Sequence, residues 1–304
     1  MRIGVNLGLG GGVSDLEGLL RQIAAAEARG LAGAWTPNIR AFDALTVLAL
    51  AGPRTGRIEL GTYVVPTYPR HPAALAQQAL TVQAATGNRL TLGIGLSHRV
   101  AMEDGLGYDW SHPIRHMREY LLALDALLSG EPATFAGEEF RVKDYQLTVP
   151  GATPPPVLVA ALGPQMLRLT GQLAAGTAIW MGGPRYLAHD CVPVIAEAAR
   201  RAGRPAPRVL VGLPVCVTDR PEEVRRQAAT AFELYGQLPS YRAILDKEGA
   251  AGPADVALIG PEATVRAGVE ALAAAGATDL IASVYAPRGE SADRTLDLLA
   301  ALTA

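Results

Sequence analysis

A histidine at the end of an apolar segment is well placed to do chemistry in this sequence. The segment Leu90–Leu96 predicts a buried strand of a parallel sheet, and Ser97 and His98 follow it directly. Imidazole exchanges a proton near neutral pH, and barrel enzymes place such groups at the carboxyl ends of their strands. The position favours His98 as a proton donor; the alternative is a histidine that only caps a loop. Gly95 would let a planar ligand approach the backbone closely.

An asparagine ends another predicted strand. The segment Ala34–Asn38 reads Ala-Trp-Thr-Pro-Asn, so that Asn38 would lie at the same edge of the sheet as His98. Its amide can hydrogen-bond a carbonyl group but cannot act as a base near neutral pH. We therefore expect Asn38 to orient a ligand rather than to remove a proton.

A third pattern, a strand followed by Gly-Pro and a helix, is typical of a site that binds an anion. The predicted strand Val157–Leu162 is followed by Gly163-Pro164 and then by an amphipathic segment. The free N–H groups at the start of such a helix, with the positive end of its dipole, can bind a phosphate group without a basic side chain. The alternative is an ordinary turn with proline at the first helical position. Gly182, after the next predicted strand, could contact the same phosphate.

These residues need a scaffold in which strand ends meet, and the sequence predicts one. Strand-like and helix-like segments alternate almost throughout, which favours one (β/α)8 TIM barrel over an open doubly wound sheet. The predicted strands are Ile3–Leu9, Ala34–Asn38, Ile58–Val65, Leu90–Leu96, Val157–Leu162, Thr177–Met181, Val209–Val217 and Leu280–Tyr285. The predicted helices include Asp15–Arg29, Ile114–Leu128, Gly163–Ala174, Val192–Ala202 and Thr264–Ala275. Glycines at Gly30, Gly130, Gly176 and Gly203 are interpreted as left-handed helix ends.

Two segments depart from the even repeat. Residues 131–150 alternate apolar and polar residues around turn signals and predict an inserted β-hairpin, while residues 220–254 exceed one crossover helix and predict a helical insertion over the barrel mouth or at a dimer surface. Ala254–Gly260 is either a short strand or a loop. Since no linker rich in Pro, Gly or Ser interrupts the chain, we expect one domain over residues 1–304.

Composition gives no reason to expect several classes of partner or location. The 304 residues are 49% hydrophobic and carry a net charge of −2, which gives no electrostatic reason to expect nucleic acid or an anionic membrane as a partner. No apolar run reaches the roughly 18 residues of a membrane span, and no signal peptide is expected. Cys191 and Cys216 show no metal-ligand spacing and suit the reducing cytoplasm. The glycines of residues 8–12 do not complete a dinucleotide-binding motif, because Val13 stands at the third glycine position.

The amino-acid sequence of three segments resembles that of the luciferase-like monooxygenase superfamily, and is most similar to the branch that uses the deazaflavin coenzyme F420. These segments are GTYVVP with the following RHP at residues 61–72, RLTLGIG at 89–95 and AALGP at 160–164. The resemblance implies a strand that ends in a bulge with a cis peptide bond at Tyr63–Val64, against which the cofactor ring packs. His71 would begin the next helix beside Pro72.

The resemblance also implies which residues bind the cofactor. They are Thr62, Tyr63, Val64, Gly95, Leu96, Ser97, Ala161, Leu162, Gly163, Pro164, Gln165, Met166, Trp180 and Gly182. His98 and Asn38 would be the catalytic residues, and no metal is expected. Tyr108, Trp110 and Trp180 are candidates for the substrate pocket or for plain packing.

The implied activity is hydride transfer between F420 and a small organic substrate, in a homodimer. Many relatives carry Asp-His or a similar pair at the end of the second strand, where Trp35-Thr36-Pro37-Asn38 stands here. This difference favours reduction of an activated C=C or C=N bond over oxidation of a sugar phosphate. Two alternatives stay open: a monooxygenase that uses FMN on the same fold, and a barrel that binds a flavin or another ligand without catalysis.

Overall fold

Eight parallel strands form a closed barrel in the computed structural model, which describes residues 1–8 and 15–303. The barrel strands are β1 (Arg2–Asn6), β2 (Gly33–Thr36), β3 (Glu59–Thr62), β4 (Leu90–Gly95), β5 (Val157–Val159), β6 (Gly176–Trp180), β7 (Arg208–Val217) and β8 (Asp279–Val284). Each strand pairs with the next in the chain, and the sheet closes where Gly4 of β1 faces Ile281 of β8. The predicted (β/α)8 barrel is confirmed.

Helices surround the barrel and bury their apolar faces against it. The outer helices are Leu16–Ala28, Ala44–Ala51, Pro72–Thr86, Pro113–Leu128, Pro164–Leu173, Val192–Arg201, Glu262–Ala274 and Ala292–Leu302. The predicted helix start at His71 is confirmed, since its ring accepts a hydrogen bond from the N–H of Ala73. With helices outside and side chains inside, every residue of β2 and β4 is buried, as the continuous apolar pattern of these strands predicts.

The glycine interpretation is right at three positions and wrong at the fourth. Gly30, Gly130 and Gly203 adopt left-handed backbone after their helices. Gly176 instead begins β6, two residues after the cap of the preceding helix at Ala174. A Cβ at Gly176 would lie 2.1 Å from the carbonyl oxygen of Arg208, so glycine is needed there because β7 passes very close.

A β-bulge interrupts the third strand, which was predicted to continue from Ile58 to Val65. Gly61 pairs with Thr91 of β4, and the next ladder pair joins Val65 to Ile94. Four steps along the third strand therefore oppose three steps along β4, which is the definition of a bulge. The peptide bond Tyr63–Val64 within this bulge is cis, as the resemblance implies.

Ion pairs fill the amino end of the barrel. Arg208 at the start of β7 binds Glu59 through Nη1 at 2.7 Å and Asp279 through Nη2 at 2.6 Å. Above them, the ring of Trp35 covers the inner faces of Gly61, Gly33 and Gly4, where any Cβ would lie within 3.1 Å of the indole. The barrel centre is thus packed from this end, and a ligand can enter only from the carboxyl ends of the strands.

The two irregular segments have their own structure. Ala133–Ala136 and Arg141–Tyr145 form an antiparallel hairpin whose turn donates three N–H groups to the carboxylate of Glu119. The second segment holds the helices Pro221–Ala231, Glu233–Gln237, Pro239–Glu248 and Pro253–Val256. The ambiguous stretch after it is a strand, Leu258–Gly260, which pairs with the end of β7.

Two sequence-based expectations concern what the chain lacks. Within the described residues, no helix has the length and apolar character needed to cross a membrane. Nor do these residues bring three His, Cys, Asp or Glu side chains together as metal ligands. Of the glycine cluster, residues 9–12 lie outside the described part of the chain, as does Val13.

Candidate active site

One wall of the barrel mouth is built at the bulge. The hydroxyl of Thr62 donates to the carbonyl oxygen of Gly93 at 2.7 Å and accepts from the N–H of the same residue at 2.8 Å. Thr62 is fully buried, so its role is to bridge the interrupted ladder. Val64 lies over the inner face of β4, since a Cβ on Gly95 would come within 2.8 Å of its Cγ2. The half-exposed Val64 therefore presents a smooth apolar wall.

Tyr63 crosses the barrel beneath this wall. Its hydroxyl donates to the carbonyl oxygen of Ile179 on β6 at 2.5 Å, and its ring meets Trp35 edge-on at 6.2 Å between centroids. Burial raises the pKa of Tyr63 well above its ordinary value, so the phenol stays protonated. Because its hydroxyl is already engaged, Tyr63 forms the floor of the mouth and offers a ligand only its ring.

His98 lies beneath aromatic side chains of the helical insertion. The centroid of its ring is 5.4 Å from that of the Tyr241 ring, and the Tyr241 and Tyr235 ring centroids are 5.3 Å apart. Ser97, before it, takes a positive φ of 67° that aims the chain out of β4. Burial lowers the pKa of His98, so the imidazole is neutral at pH 7. A neutral, half-buried imidazole can donate a hydrogen bond or accept a proton.

The helical insertion covers the carboxyl ends of three strands. The ring of Tyr241 contacts that of His98 after β4. The ring of Tyr235 contacts that of Trp180 at the end of β6, and the ring of Phe232 contacts that of Tyr285 after β8. These insertion aromatics were not predicted as site residues. The signal that could have found them is their number: three aromatic residues stand within ten positions of a chain that is only 5% aromatic.

A carboxylate of the insertion changes the interpretation of Gly182. Glu248 accepts hydrogen bonds from the N–H groups of Arg185 at 3.2 Å and Tyr186 at 2.7 Å, at the helix start that follows Gly182 and Gly183. An anion of the protein itself thus occupies this helix start. Gly182 is buried, and a phosphate there would have to compete with Glu248.

The helix Pro164–Leu173 has an open amino end by contrast. Gly163 is its N-cap residue and supplies no side-chain hydrogen bond, and Gly163, Pro164 and Gln165 are exposed. Ala161 and Met166 are buried beneath them, and Leu162 is half-buried with its carbonyl oxygen bound by the hydroxyl of Tyr186 at 2.7 Å. The first-turn amides of this helix are accessible to an anionic ligand.

Asn38 has a structural partner. Its Oδ1 accepts a hydrogen bond from the N–H of Ala44 at 2.9 Å, at the start of the helix Ala44–Ala51. This bond uses the oxygen of the amide, which leaves the NH2 group as the part that can contact a ligand.

Tyr108 and Trp110 belong to a second aromatic group. Tyr68 stacks on Trp110 at 5.0 Å and on His116 at 3.9 Å, and Tyr108 lies 6.0 Å from Tyr68. His116 is held between Thr67 Oγ1 and Glu139 Oε2, each at 3.0 Å. Of the three aromatic residues considered for a substrate pocket, only Trp180 packs with the insertion over the barrel mouth.

Relatives with similar sequences include enzymes that act on different substrates. An uncharacterized protein of Mycobacterium tuberculosis is 31% identical over 245 residues, which are 74% of this chain and 70% of that protein. The 5,10-methylenetetrahydromethanopterin reductase of Methanolobus tindarius is 28% identical over 229 residues (74% and 68%). The F420-dependent glucose-6-phosphate dehydrogenase of Microbacterium testaceum is 28% identical over 195 residues (62% and 58%).

Solved structures with this fold include both F420 and FMN proteins. The coenzyme F420-dependent tetrahydromethanopterin reductase of Methanopyrus kandleri superposes with a TM-score of 0.82 at 21% identity, covering 98% of this chain and 97% of that one. The oxygenating constituent of 3,6-diketocamphane monooxygenase of Pseudomonas putida, in complex with FMN, gives 0.77 at 18% identity (99% and 97%). At such identities these similarities establish the fold alone.

The family itself is established by sequence. The family profile described as luciferase-like monooxygenase matches residues 1–279, which is most of the chain. The bulge with its cis bond and the closed parallel barrel agree with this match. The chain therefore belongs to the luciferase-like monooxygenase family.

Proposed function

We propose that this protein is an oxidoreductase that uses coenzyme F420 at the carboxyl end of its barrel. The observation that carries the proposal is the open amino end of the helix Pro164–Leu173 at the mouth, whose first turn has no side-chain cap. F420 combines a flat ring with a phosphate-bearing tail, and the mouth offers an apolar wall at Val64 and a site for a phosphate group at Gly163. The F420-dependent relative and the F420-dependent reductase of the same fold support this choice.

Each part of the site has a role in this proposal. Val64 and Gly95 would back the ring, with Thr62 and Tyr63 holding that wall in place and Leu96 and Ser97 at its edge. In the segment from Ala161 to Met166, the backbone N–H groups of Gly163, Gln165 and Met166 would hold the phosphate, while Pro164, which has no N–H, would fix the start of the helix. Trp180 would close the mouth beside the ring, and the buried Gly182 would contribute only backbone.

The reaction that suits this site is the reduction of an activated C=C or C=N bond. When bound in its reduced form, F420 supplies a hydride and becomes oxidised. The substrate also needs one proton, which originates from solvent. The neutral imidazole of His98 can donate a hydrogen bond to the atom that gains negative charge, pass its N–H proton to that atom and take up another from water. Asn38 can only donate through its NH2 group, so a base for alcohol oxidation is missing at the end of β2.

Cofactor titration tests the proposal directly. We expect F420 to bind with a micromolar or lower Kd, and FMN and NADPH to bind much more weakly, as measured by fluorescence on addition to the pure protein. The FMN-bound structure of the same fold supports the alternative of an FMN monooxygenase. Co-purification of FMN at full occupancy would establish that alternative in place of F420.

A binding barrel without catalysis predicts a different result. It would take up F420 tightly yet never oxidise the reduced cofactor in the presence of unsaturated carbonyl compounds or imines. We expect the reduced cofactor to be oxidised only when a substrate is added. The return of the absorbance of oxidised F420 measures this reaction.

A further inference from the structure

The half of the mouth opposite the bulge holds polar atoms without partners. Asn6 ends β1 and Trp180 ends β6, and their side chains are 6% and 8% exposed. Asn6 Nδ2 donates to Ser283 Oγ at 3.2 Å, while Asn6 Oδ1 and Trp180 Nε1 have no hydrogen-bond partner anywhere among the described residues. A buried acceptor and a buried donor left unpaired are each unfavourable by about 1–3 kcal/mol, so their retention points to a ligand that pairs with them.

Both side chains face the interior of the barrel. A Cβ on Gly4 would point at the indole nitrogen of Trp35, 3.1 Å away, so Gly4 faces inward. Side chains alternate along a strand, and Asn6 therefore also faces inward, one layer closer to the mouth. Trp180 stands over Gly212, where an added Cβ would lie 2.8 Å from the indole ring.

The strand order places these groups along one arc of the barrel mouth, with β7 and β8 between them. Trp180 pairs with Gly212 of β7, and Pro214, two residues further along β7, pairs with Ser283 of β8. Ser283 then bonds to Asn6 of β1. The lining of this part of the mouth therefore consists, in strand order from β6 to β1, of the indole of Trp180, the apolar ring of Pro214, the hydroxyl of Ser283 and the amide of Asn6. This half adjoins the part of the mouth proposed for the cofactor, and Trp180 lies at the boundary between the two.

The lining carries no formal charge. No acidic residue, lysine or arginine is among its residues, which are Asn6, Ser283, Pro214, Trp180, Tyr235 and Tyr241. A charged cluster lies at the opposite end of the barrel, where Arg208 and Arg2 pair with Glu59 and Asp279. Placing an ionised substrate against this aromatic lining would remove its hydration without supplying a counter-charge, which is strongly unfavourable.

We propose that this half of the mouth binds a neutral, planar, conjugated carbonyl compound that also carries a hydrogen-bond donor, as an unsaturated lactam or imide does. The donor N–H would bind Asn6 Oδ1, the carbonyl would accept from Trp180 Nε1, and the plane would lie against the rings of Tyr235 and Tyr241. The inference rests on the proposed function, for which it names the substrate class, and it excludes sugar phosphates.

Binding of four probes to the protein loaded with oxidised F420 tests the inference, because no turnover occurs in that state. The probes are dihydropyridone (an unsaturated lactam), its N-methyl derivative, a carboxylated dihydropyridone and glucose 6-phosphate, each titrated by calorimetry. We expect the lactam to bind about 3- to 10-fold more tightly than the N-methyl probe, which corresponds to one hydrogen bond, and both anions to bind more weakly than either.

Two variants assign the contacts. Asn6→Leu removes the acceptor at similar volume and should abolish the preference for the lactam over its N-methyl derivative. Trp180→Phe keeps an aromatic ring without the N–H and should weaken both neutral probes by a similar factor of about 3 to 10. A purely structural role of Asn6 would leave the preference between the two neutral probes unchanged in Asn6→Leu, and this result would overturn the assignment.

Other results would overturn the substrate class. Tighter binding of either anion, equal binding of the two neutral probes to the unaltered protein, or no binding of any probe at millimolar concentration would each do so. A parallel F420 titration separates this inference from the proposed function. If F420 fails to bind, the proposed function is wrong, and the same probes then report on the lining in the cofactor-free protein.

Discussion

The hydroxyl of Thr62 holds both backbone groups of Gly93, since it donates to the carbonyl oxygen at 2.7 Å and accepts from the N–H at 2.8 Å. One side chain therefore replaces the two ladder bonds that β4 loses where the third strand bulges. The wall proposed to back the cofactor ring depends on this pair.

Removal of that hydroxyl should destabilise the protein. Thr62→Val leaves a buried N–H and a buried carbonyl group unpaired, and we expect the free energy of unfolding to fall by about 2–3 kcal/mol. Thr62→Ser keeps the hydroxyl and loses one methyl group, for an expected loss of about 1 kcal/mol. Denaturant unfolding of both variants measures the difference, and equal stability would show that the hydroxyl bonds contribute little.

The contact of Gly212 with Tyr63 and Trp180 leaves no room for a methyl group. A Cβ there would lie 2.6 Å from Tyr63 Oη and 2.8 Å from Trp180 Cε3, so Gly212→Ala should destabilise the protein by about 1–3 kcal/mol. Gly56→Ala is the matched control, because an added Cβ meets nothing within 4 Å there. In a Tyr63→Phe background, which lacks the nearest atom, the effect of Gly212→Ala should shrink. Additive effects in the double variant would contradict the steric explanation.

A negative charge at the open helix end should weaken F420 binding. Gln165→Glu adds a carboxylate in the exposed first turn of the helix Pro164–Leu173, where a phosphate is proposed to bind. We expect a Kd for F420 that is about 3- to 10-fold higher, with an effect that shrinks at high salt. Gln172→Glu makes the same change near the other end of this helix and should leave the Kd within about twofold. Equal effects of the two variants would place the phosphate elsewhere.

Loss of the imidazole at His98 should slow turnover far more than it weakens cofactor binding. General acid catalysis contributes about 10²–10⁴-fold, so His98→Ala should lower kcat by that factor while the Kd for F420 changes by less than about tenfold. Steady-state kinetics and an F420 titration measure the two quantities, with His112→Ala as a control at an exposed histidine. An unchanged kcat together with a lower Tm would return His98 to a structural role.

Stability should fall as the solution becomes more acidic. Burial lowers the pKa of His116 from its ordinary 6.5, although the nearby Glu139 opposes this shift, and burial also lowers the pKa of His98. The unfolded chain therefore binds more protons than the native protein once the pH falls through about 6.5, which favours unfolding. We expect the Tm to fall by several degrees between pH 7.5 and pH 5.5.

His116→Gln separates this effect from that of the carboxylates. The variant removes one buried titrating group and should flatten the dependence of Tm on pH, whereas His189→Gln, at an exposed position, should not. A slope as steep in His116→Gln as in the unaltered protein would exclude His116 as its source.

The sequence by itself determined the barrel and several of its local features. Apolar strands that alternate with amphipathic helices are a short-range pattern, and their periods predict where each element lies to within a few residues. Helix starts such as His71-Pro72 and Gly163-Pro164 are predictable for the same reason, since they depend on residues within one turn. Resemblance to a family added the cis bond at Tyr63–Val64.

Contacts between distant segments were decided only by the tertiary structure. The bulge at Thr62 can be recognised only from the pairing of the third strand with β4. The need for glycine at position 176 follows from how closely the backbone of Arg208 on β7 passes it. Glu248 occupies the helix start after Gly183 from 62 or more positions away along the chain. The unpaired polar groups of Asn6 and Trp180 likewise emerge only when the barrel closes. Periodicity describes a residue's neighbours in sequence, whereas hydrogen-bond partners and steric room depend on which elements folding brings together.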